Sequence, residues 1–372
     1  MDQTTHRPEF TAALSIALEL SVNEWLLTMS AVPGGARVRA RMPPGDQRAF
    51  ADAVAKAKTR LGVGREAPMR SCYEAGREGF WPHRWLTARG VTNLVVDSSS
   101  IEVPRRARRA KTDRLDGEKL LRLLLRHWGG ERGMWQVVHV PSREAEDARH
   151  ASRGVTTLHT ERTRLRNRIR GLLALHGVRR IRLDARLPDR LSTLTDWAGV
   201  PLPAGVVARV LATHRLLQAV ETECRRARQQ ERQRVRETAM CAHRLTQLRG
   251  VAARSATILA DELLGRGLQN RREVGALSGL VSAPYRSGTT HRDQGLARSG
   301  LPAVRRLAIE LAWAWLRYQP TSALTQWYQR RFGGGGAVTR RMGIVALARR
   351  VLIALWRYSE TGIVPAGALL KA

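Results

Sequence analysis

Only three cysteines, Cys72, Cys224 and Cys241, occur in 372 residues. They are odd in number and widely spaced, which excludes a disulfide framework and matches no zinc motif. No apolar run reaches the length of a membrane span, and the polar start Met1–Glu9 does not read as a signal peptide. A reduced, cytoplasmic, nucleoid-associated setting is therefore the expectation. Acidic residues are also scarce: 32 Asp and Glu face 64 Lys and Arg, for a formal net charge of +32. That excess is far beyond what solubility requires and points to a polyanionic partner. Its distribution is uneven. The first hundred residues hold acids and bases in near balance, and almost the whole surplus follows them, as in a chain built to lie along nucleic acid.

What is present centres on Lys111-Thr112-Asp113-Arg114-Leu115-Asp116. The apolar positions Leu115, Leu120, Leu121, Leu123, Leu124 and Leu125 predict an amphipathic helix whose first turn carries Asp113 and Asp116. Residues three apart share a helix face, so both carboxylates point the same way. Two oxygen ligands on a rigid helix suit Mg²⁺, which takes few protein carboxylates and completes its shell with water and phosphate. Arg105, Arg106, Arg108, Arg109, Lys111 and Arg114 surround the pair and suit a polyphosphate substrate. A plainer alternative makes the two acids first-turn residues favoured by the helix dipole and paired with those arginines.

Upstream, Leu14–Leu20, Glu24–Ala31 and Ala36–Met42 read as three antiparallel strands separated by turn-length gaps. A helix from an Asp46 cap to about Leu61, a strand Met69–Ala75, a helix Gly79–Arg89 and a strand Thr92–Ser98 follow before the KTDRLD helix. The order βββαβαβα is the ribonuclease-H-like pattern, in which acids at strand ends and on a later helix converge on metal. Glu19 sits near the end of the first strand and Glu74 ends the fourth. Past about Pro141 strand signals stop. Val155, Leu158, Leu165, Ile169 and Leu172, then Val210, Leu217, Val220 and Cys224, recur at helical spacing, which suggests an antiparallel coiled-coil hairpin around the proline-containing Leu183–Pro203. A single long helical arm is the alternative. The remainder predicts an apolar helix through Leu264, a helix Arg271–Leu280, a polar loop Pro284–Arg292, a helix Pro302–Tyr318, a flexible joint at Gly333–Gly336 and a final arginine-rich helix from about Val338 to Tyr358.

Four segments, CYEAG with Glu74, RRAKTDRLDGEKLL, LRGVAARSATILADEL and LSGLVSAPYRSGTTHRDQGLARSGLPAVRRLAIELAW, together resemble one family, the DEDD-type transposases of the insertion-sequence one-ten group. They occur in the family's order and cover nearly the whole chain. The resemblance implies a RuvC-like N-terminal domain (1–142) with a four-carboxylate site, a coiled-coil insertion (143–245) and a mainly helical C-terminal transposase domain (246–372) with a nucleophilic serine, Ser287. It also implies a homo-oligomer, dimer or tetramer, that binds donor and target DNA and a structured guide (bridge) RNA. The tetrad would be Glu19, Glu74, Asp113 and Asp116, holding Mg²⁺. The family usually begins it with Asp, whereas ALEL offers Glu19, whose extra methylene moves the carboxylate by about one bond length. Asp97 is a rival ligand, more simply read as a cap for the loop Ser98–Ser100.

Ser287 read without the family is an ordinary turn serine before Gly288. As a nucleophile it needs its proton removed and the charge developing on phosphate offset, for which Arg286, Arg292 and Arg298 are nearby in sequence. Tyr285 is the fallback nucleophile. The expected activity is an Mg²⁺-dependent, RNA-guided DNA transposase that cuts and rejoins strands through a phosphoserine. A hydrolytic RuvC-like junction nuclease, or a nucleic-acid-binding protein with structural acids, are the alternatives.

Overall fold

Every residue of Leu14–Leu18 is buried, as expected of a strand with neighbours on both edges and helices on both faces. It is the centre of a five-stranded sheet in the computed structural model, which describes residues 13–101, 113–237, 240–287, 290–297 and 299–371; side chains at 113–114, 235–237, 240–241, 284–287 and 290–294 lie outside that description. The chain divides into two compact units that part between Val140 and Pro141.

In the first unit, strands β1 (Leu14–Leu20), β2 (Trp25–Ser30), β3 (Val38–Met42), β4 (Met69–Glu74) and β5 (Val91–Val96) are arranged in the order β3-β2-β1-β4-β5. β1, β2 and β3 pair antiparallel, and β4 and β5 add parallel to β1. Helices α1 (Gln47–Arg60), α2 (Trp81–Thr87) and α3 (Asp113–Trp128) complete the βββαβαβα order expected from the sequence. Asp46 caps α1 as expected, its carboxylate accepting from the Ala49 amide at 2.9 Å.

The two faces of the sheet have separate cores, and the strand period assigns each residue to one. Leu14, Ile16 and Leu18 of β1 pack with Phe50 and Val54 of α1 and Leu86 of α2. Ala17 of β1 and Cys72 of β4 pack with Leu120, Leu121 and Leu124 of α3. Alternation therefore turns Glu19 and Glu74, two residues beyond Ala17 and Cys72, to the α3 face. The few aromatic residues concentrate on the other face, where Trp25 meets Trp81 at 5.0 Å and Trp85 at 5.6 Å between ring centroids.

α3 lies close against the sheet at Gly117, where a Cβ would come within 2.9 Å of Thr28 Oγ1, and Thr28 is itself fully buried opposite Ala17. Gly117→Val should push α3 off β2 and lower stability by about 1–3 kcal/mol, the usual range for overpacking. A denaturant midpoint no lower than that of the parent would contradict this packing.

The second unit holds two long helices, α4 (Arg143–Ala174) and α6 (Ala204–Glu237), joined through the short α5 (Leu187–Ser192). Arg166 of α4 meets Glu221 of α6, and Val155, earlier in α4, lines one cavity with Gln230, later in α6, so the two run antiparallel as a hairpin over a core that includes Leu165, Leu173, Val210 and Leu217. Beyond α7 (Met240–Thr246) come α8 (Ala253–Glu262), α9 (Arg271–Ser278), α10 (Pro302–Tyr318), α11 (Ala323–Tyr328) and α12 (Ala337–Thr361), which enclose the largest core.

Two expectations are corrected here. Pro284–Arg292 is not a loop: β6 (Ser282–Ser287) and β7 (Thr290–Leu296) form an antiparallel hairpin in which Ser287 pairs with Thr290. Backbone pairing across a two-residue connection carries it without apolar alternation in its sequence. Gly333–Gly336 is not an open joint but a tight corner. Gln329–Gly333 makes a π-helical turn, Gly336 caps α12, and a Cβ at Gly335 would meet Thr339 Cγ2 at 2.7 Å. The glycines permit that approach, and Phe332 beside them folds over Gly343, where a Cβ would lie 2.5 Å from its ring.

Candidate active site and nucleic-acid interface

Glu74 closes β4, and Glu19 lies on the adjacent β1 one residue past the last paired position, Leu18 with Tyr73. Parallel neighbours in register bring their two carboxylate-bearing ends together, and both residues line one cleft of about 340 Å³ with Ser21, Gly76, Glu78 and Ser98. Both are partly buried. The buried Cys72 thiol on the same face is pushed well above the usual thiol range, by burial first and by the Glu74 carboxylate second, and donates to the Leu120 carbonyl at 3.8 Å. It is an inert core group.

Of the two acids expected on α3, Asp116 has a described side chain. Asp116 is partly buried, four residues before the fully buried Leu120 and next to Gly117, which lies against β2. Asp113 is the first residue of α3, its side chain outside the described set. Glu118 pairs with Arg37, at 3.4 Å, and with Arg39 beside it, tying the start of α3 to the region of edge strand β3. Hard carboxylate oxygens on two strand ends and one helix face suit a cation such as Mg²⁺ in kind. Among the described residues no three acidic, histidine or cysteine side chains gather around a common point.

Asp97 takes the plainer of its two readings. Its carboxylate caps the turn Ser98–Ser100, accepting from the Ser99 amide at 2.9 Å and the Ser99 hydroxyl at 2.8 Å.

Ser287 belongs to the second unit, where it is the last residue of β6, at the tip of the hairpin. Arg286 pairs with His291 and Tyr285 with Arg292 along that hairpin, which sets their backbone positions. Arg298 and the basic run Arg105, Arg106, Arg108, Arg109 and Lys111 lie outside the described residues.

No local pattern in the sequence marks an ionic cluster, its acids buried and its paired arginines partly exposed, that fastens the helical hairpin to α8. Arg153 grips Glu262 with two bonds, at 2.6 and 2.9 Å, and Arg234 grips both oxygens of Asp261 at 2.7 and 2.6 Å. Arg149 donates to the Asp261 carbonyl at 2.8 Å, and Arg254 reaches Glu231 at 3.3 Å and Thr156 at 3.1 Å. Hydrogen bonding to Glu262 holds the Arg153 guanidinium above its ordinary pKa, and burial pushes the Glu231 carboxyl up. Arg153 and Glu262 are more than a hundred residues apart, so no local spacing signals the pair. Glu262→Ala should destabilise the second unit by about 1–3 kcal/mol, below the range for a fully buried pair because Arg153 is 56% exposed. An unchanged thermal midpoint would show that the cluster contributes nothing.

The family described as Transposase IS116/IS110/IS902 family matches residues 242–327, which include the β6–β7 hairpin and Ser287. Over nearly its full length the chain is similar to Putative transposase y4rJ of Sinorhizobium fredii (strain NBRC 101917 / NGR234), with 38% identity over 382 residues, 96% of this chain and 95% of the relative. It is also similar to Putative transposase y4qE of the same strain, with 29% identity over 253 residues, 67% of this chain and 59% of the relative.

Proposed function

The chain belongs to the IS116/IS110/IS902 family of transposases, and from that membership we infer the chemistry by which it acts on DNA. It is an enzyme of DNA transposition and recombination, and it binds DNA. We propose that the first unit is RuvC-like, that Glu19, Glu74, Asp113 and Asp116 hold Mg²⁺, and that Ser287 is the nucleophile. The observation that carries the metal site is the meeting of Glu19 and Glu74 in one cleft on the sheet face covered by α3.

In the proposed reaction the Ser287 hydroxyl gives up its proton as its oxygen bonds to the scissile phosphorus. The phosphorus–oxygen bond to one sugar breaks, and that sugar oxygen leaves as a hydroxyl by taking up a proton. The strand then remains on the protein as a phosphoserine ester. A second sugar hydroxyl reverses the step by attacking the ester and releasing serine, so the joint is resealed without an added energy source. Bound Mg²⁺ would supply Lewis-acid stabilisation of the phosphate charge. The four carboxylates orient that cation, while arginines near Ser287 offset the charge on the non-bridging oxygens.

Target choice by base pairing to a structured guide RNA, and work as a dimer or tetramer, complete the proposal. Both follow from the family resemblance, and the large positive excess suits any polyanionic partner, RNA included. A supercoiled plasmid carrying donor and target sites tests the chemistry. A covalent protein–DNA adduct supports it, free phosphate ends without adduct favour a hydrolytic nuclease, and intact DNA with tight binding favours a passive binder.

A further inference from the structure

Six of the arginines that this chemistry leaves unused gather at one groove of the second unit. Arg271 and Arg272 open α9, Arg331 follows α11, and Arg349, Arg350 and Arg357 lie along α12; all six line a groove of about 1490 Å³. No Asp or Glu lines it, and among the described residues none of the six engages in an ion pair. Six uncompensated guanidinium groups around one concavity call for a polyanion.

The floor narrows the choice of polyanion, because it is apolar. Trp327, Phe332, Val345 and Ile353 form much of it, each partly exposed. Trp327 and Phe332 meet edge to face with centroids 5.5 Å apart, and the Arg350 guanidinium stacks 3.9 Å from the centroid of the Trp327 ring. Arg349 is fixed against α9, where a Cβ at Gly275 would fall 2.9 Å from its Nε. A duplex offers phosphates outside and keeps its bases stacked within, so it would leave such a floor uncovered. An unpaired strand offers both phosphates for the rim and base faces for the aromatic floor.

Position decides between DNA and RNA. Ser282 and Leu296, the paired base of the β6–β7 hairpin, also line the groove. Ser287 lies five residues further along β6, about 17 Å at the usual rise of a strand. We propose that this groove holds an unpaired segment of the DNA strand being cut, its bases on the surface that Phe332 and the Arg350–Trp327 stack present and its phosphates on the arginine rim, beside the phosphodiester that Ser287 attacks. This rests on Ser287 as nucleophile for its choice of strand, though not for the binding itself.

The test is fluorescence anisotropy of the full chain with labelled single-stranded DNA, duplex DNA and single-stranded RNA of equal length. Arg350→Gln combined with Arg357→Gln should weaken single-stranded DNA binding about tenfold, the effect of losing roughly one stacked base and its phosphate contact. The salt dependence should become shallower by about 0.7 for each phosphate contact removed, while duplex affinity stays within twofold. Arg271→Gln combined with Arg272→Gln, across the groove, repeats the measurement should the first pair lower the melting midpoint. Unchanged single-strand binding would overturn the proposal, as would equal loss for duplex, or loss for RNA as great as for DNA. Because binding is read without cleavage, a missing phosphoserine adduct and a missing groove effect are separate results.

Discussion

Ser287→Ala is expected to abolish both strand cleavage and the covalent protein–DNA adduct while DNA binding stays within a fewfold of the parent. The effect on rate should be large, because the substitution removes the atom that forms the new bond to phosphorus. A nucleophile lost from a covalent mechanism has no substitute on the same path, and knockouts of that kind cost several orders of magnitude, about 10⁶ in a well-studied protease. The effect on folding should be small. Ser287 contributes to the β6–β7 hairpin through main-chain pairing with Thr290, which alanine retains. Single-turnover cutting of a labelled duplex, with gel analysis after denaturation, reads both quantities together. Cutting at the parental rate by Ser287→Ala would mean that water or another group attacks, and the hydrolytic nuclease would then be the better account.

The second large effect belongs to the carboxylates. Asp116→Asn should lose nearly all cleavage while keeping DNA affinity, since it removes one ligand charge and leaves the arginine-rich second unit untouched. Asp113→Asn should behave alike. Glu19 extends the test, because the family usually has Asp there. Glu19→Asp should keep measurable cleavage, having the same charge on a shorter arm, and Glu19→Gln should not. Raising Mg²⁺ should partly rescue a variant whose only defect is weaker metal binding. Normal cleavage by Asp116→Asn, or equal activity of Glu19→Asp and Glu19→Gln, would remove these residues from the metal site.

The first unit was legible in the sequence because its local signals agree. Alternation in Leu14–Leu20, the Asp46 cap and the leucine stripe of α3 each name their element without help from distant residues. The strand order then follows from pairing, and the period of two turns Glu19 and Glu74 to one side. Asp97 caps its own turn, since the Ser99 amide and hydroxyl both donate to its carboxylate. The helical hairpin was legible for a related reason, its apolar seam repeating along both helices.

What stayed hidden depends on contacts far apart in sequence or on unusual backbone. The β6–β7 hairpin carries Arg286, Arg292 and Asp293, too polar to show a strand pattern, so Ser287 read as a loop residue when it ends a strand. The four glycines read as a linker because composition alone does not show that Thr339 and Gln329 close over them. The arginine-rimmed groove joins α9, the hairpin base, α11 and α12, four segments that no single stretch of sequence places together.

A phosphoserine link to DNA can be read on the protein itself. The full chain is allowed to react with target DNA in Mg²⁺, stopped with denaturant, digested with nuclease and protease, and mapped by mass spectrometry. Phosphoserine nucleophilicity predicts a nucleotide remnant on the peptide containing Ser287, present with the parent and absent from Ser287→Ala. Efficient cutting with no modified peptide, or a remnant on Tyr285, would contradict it.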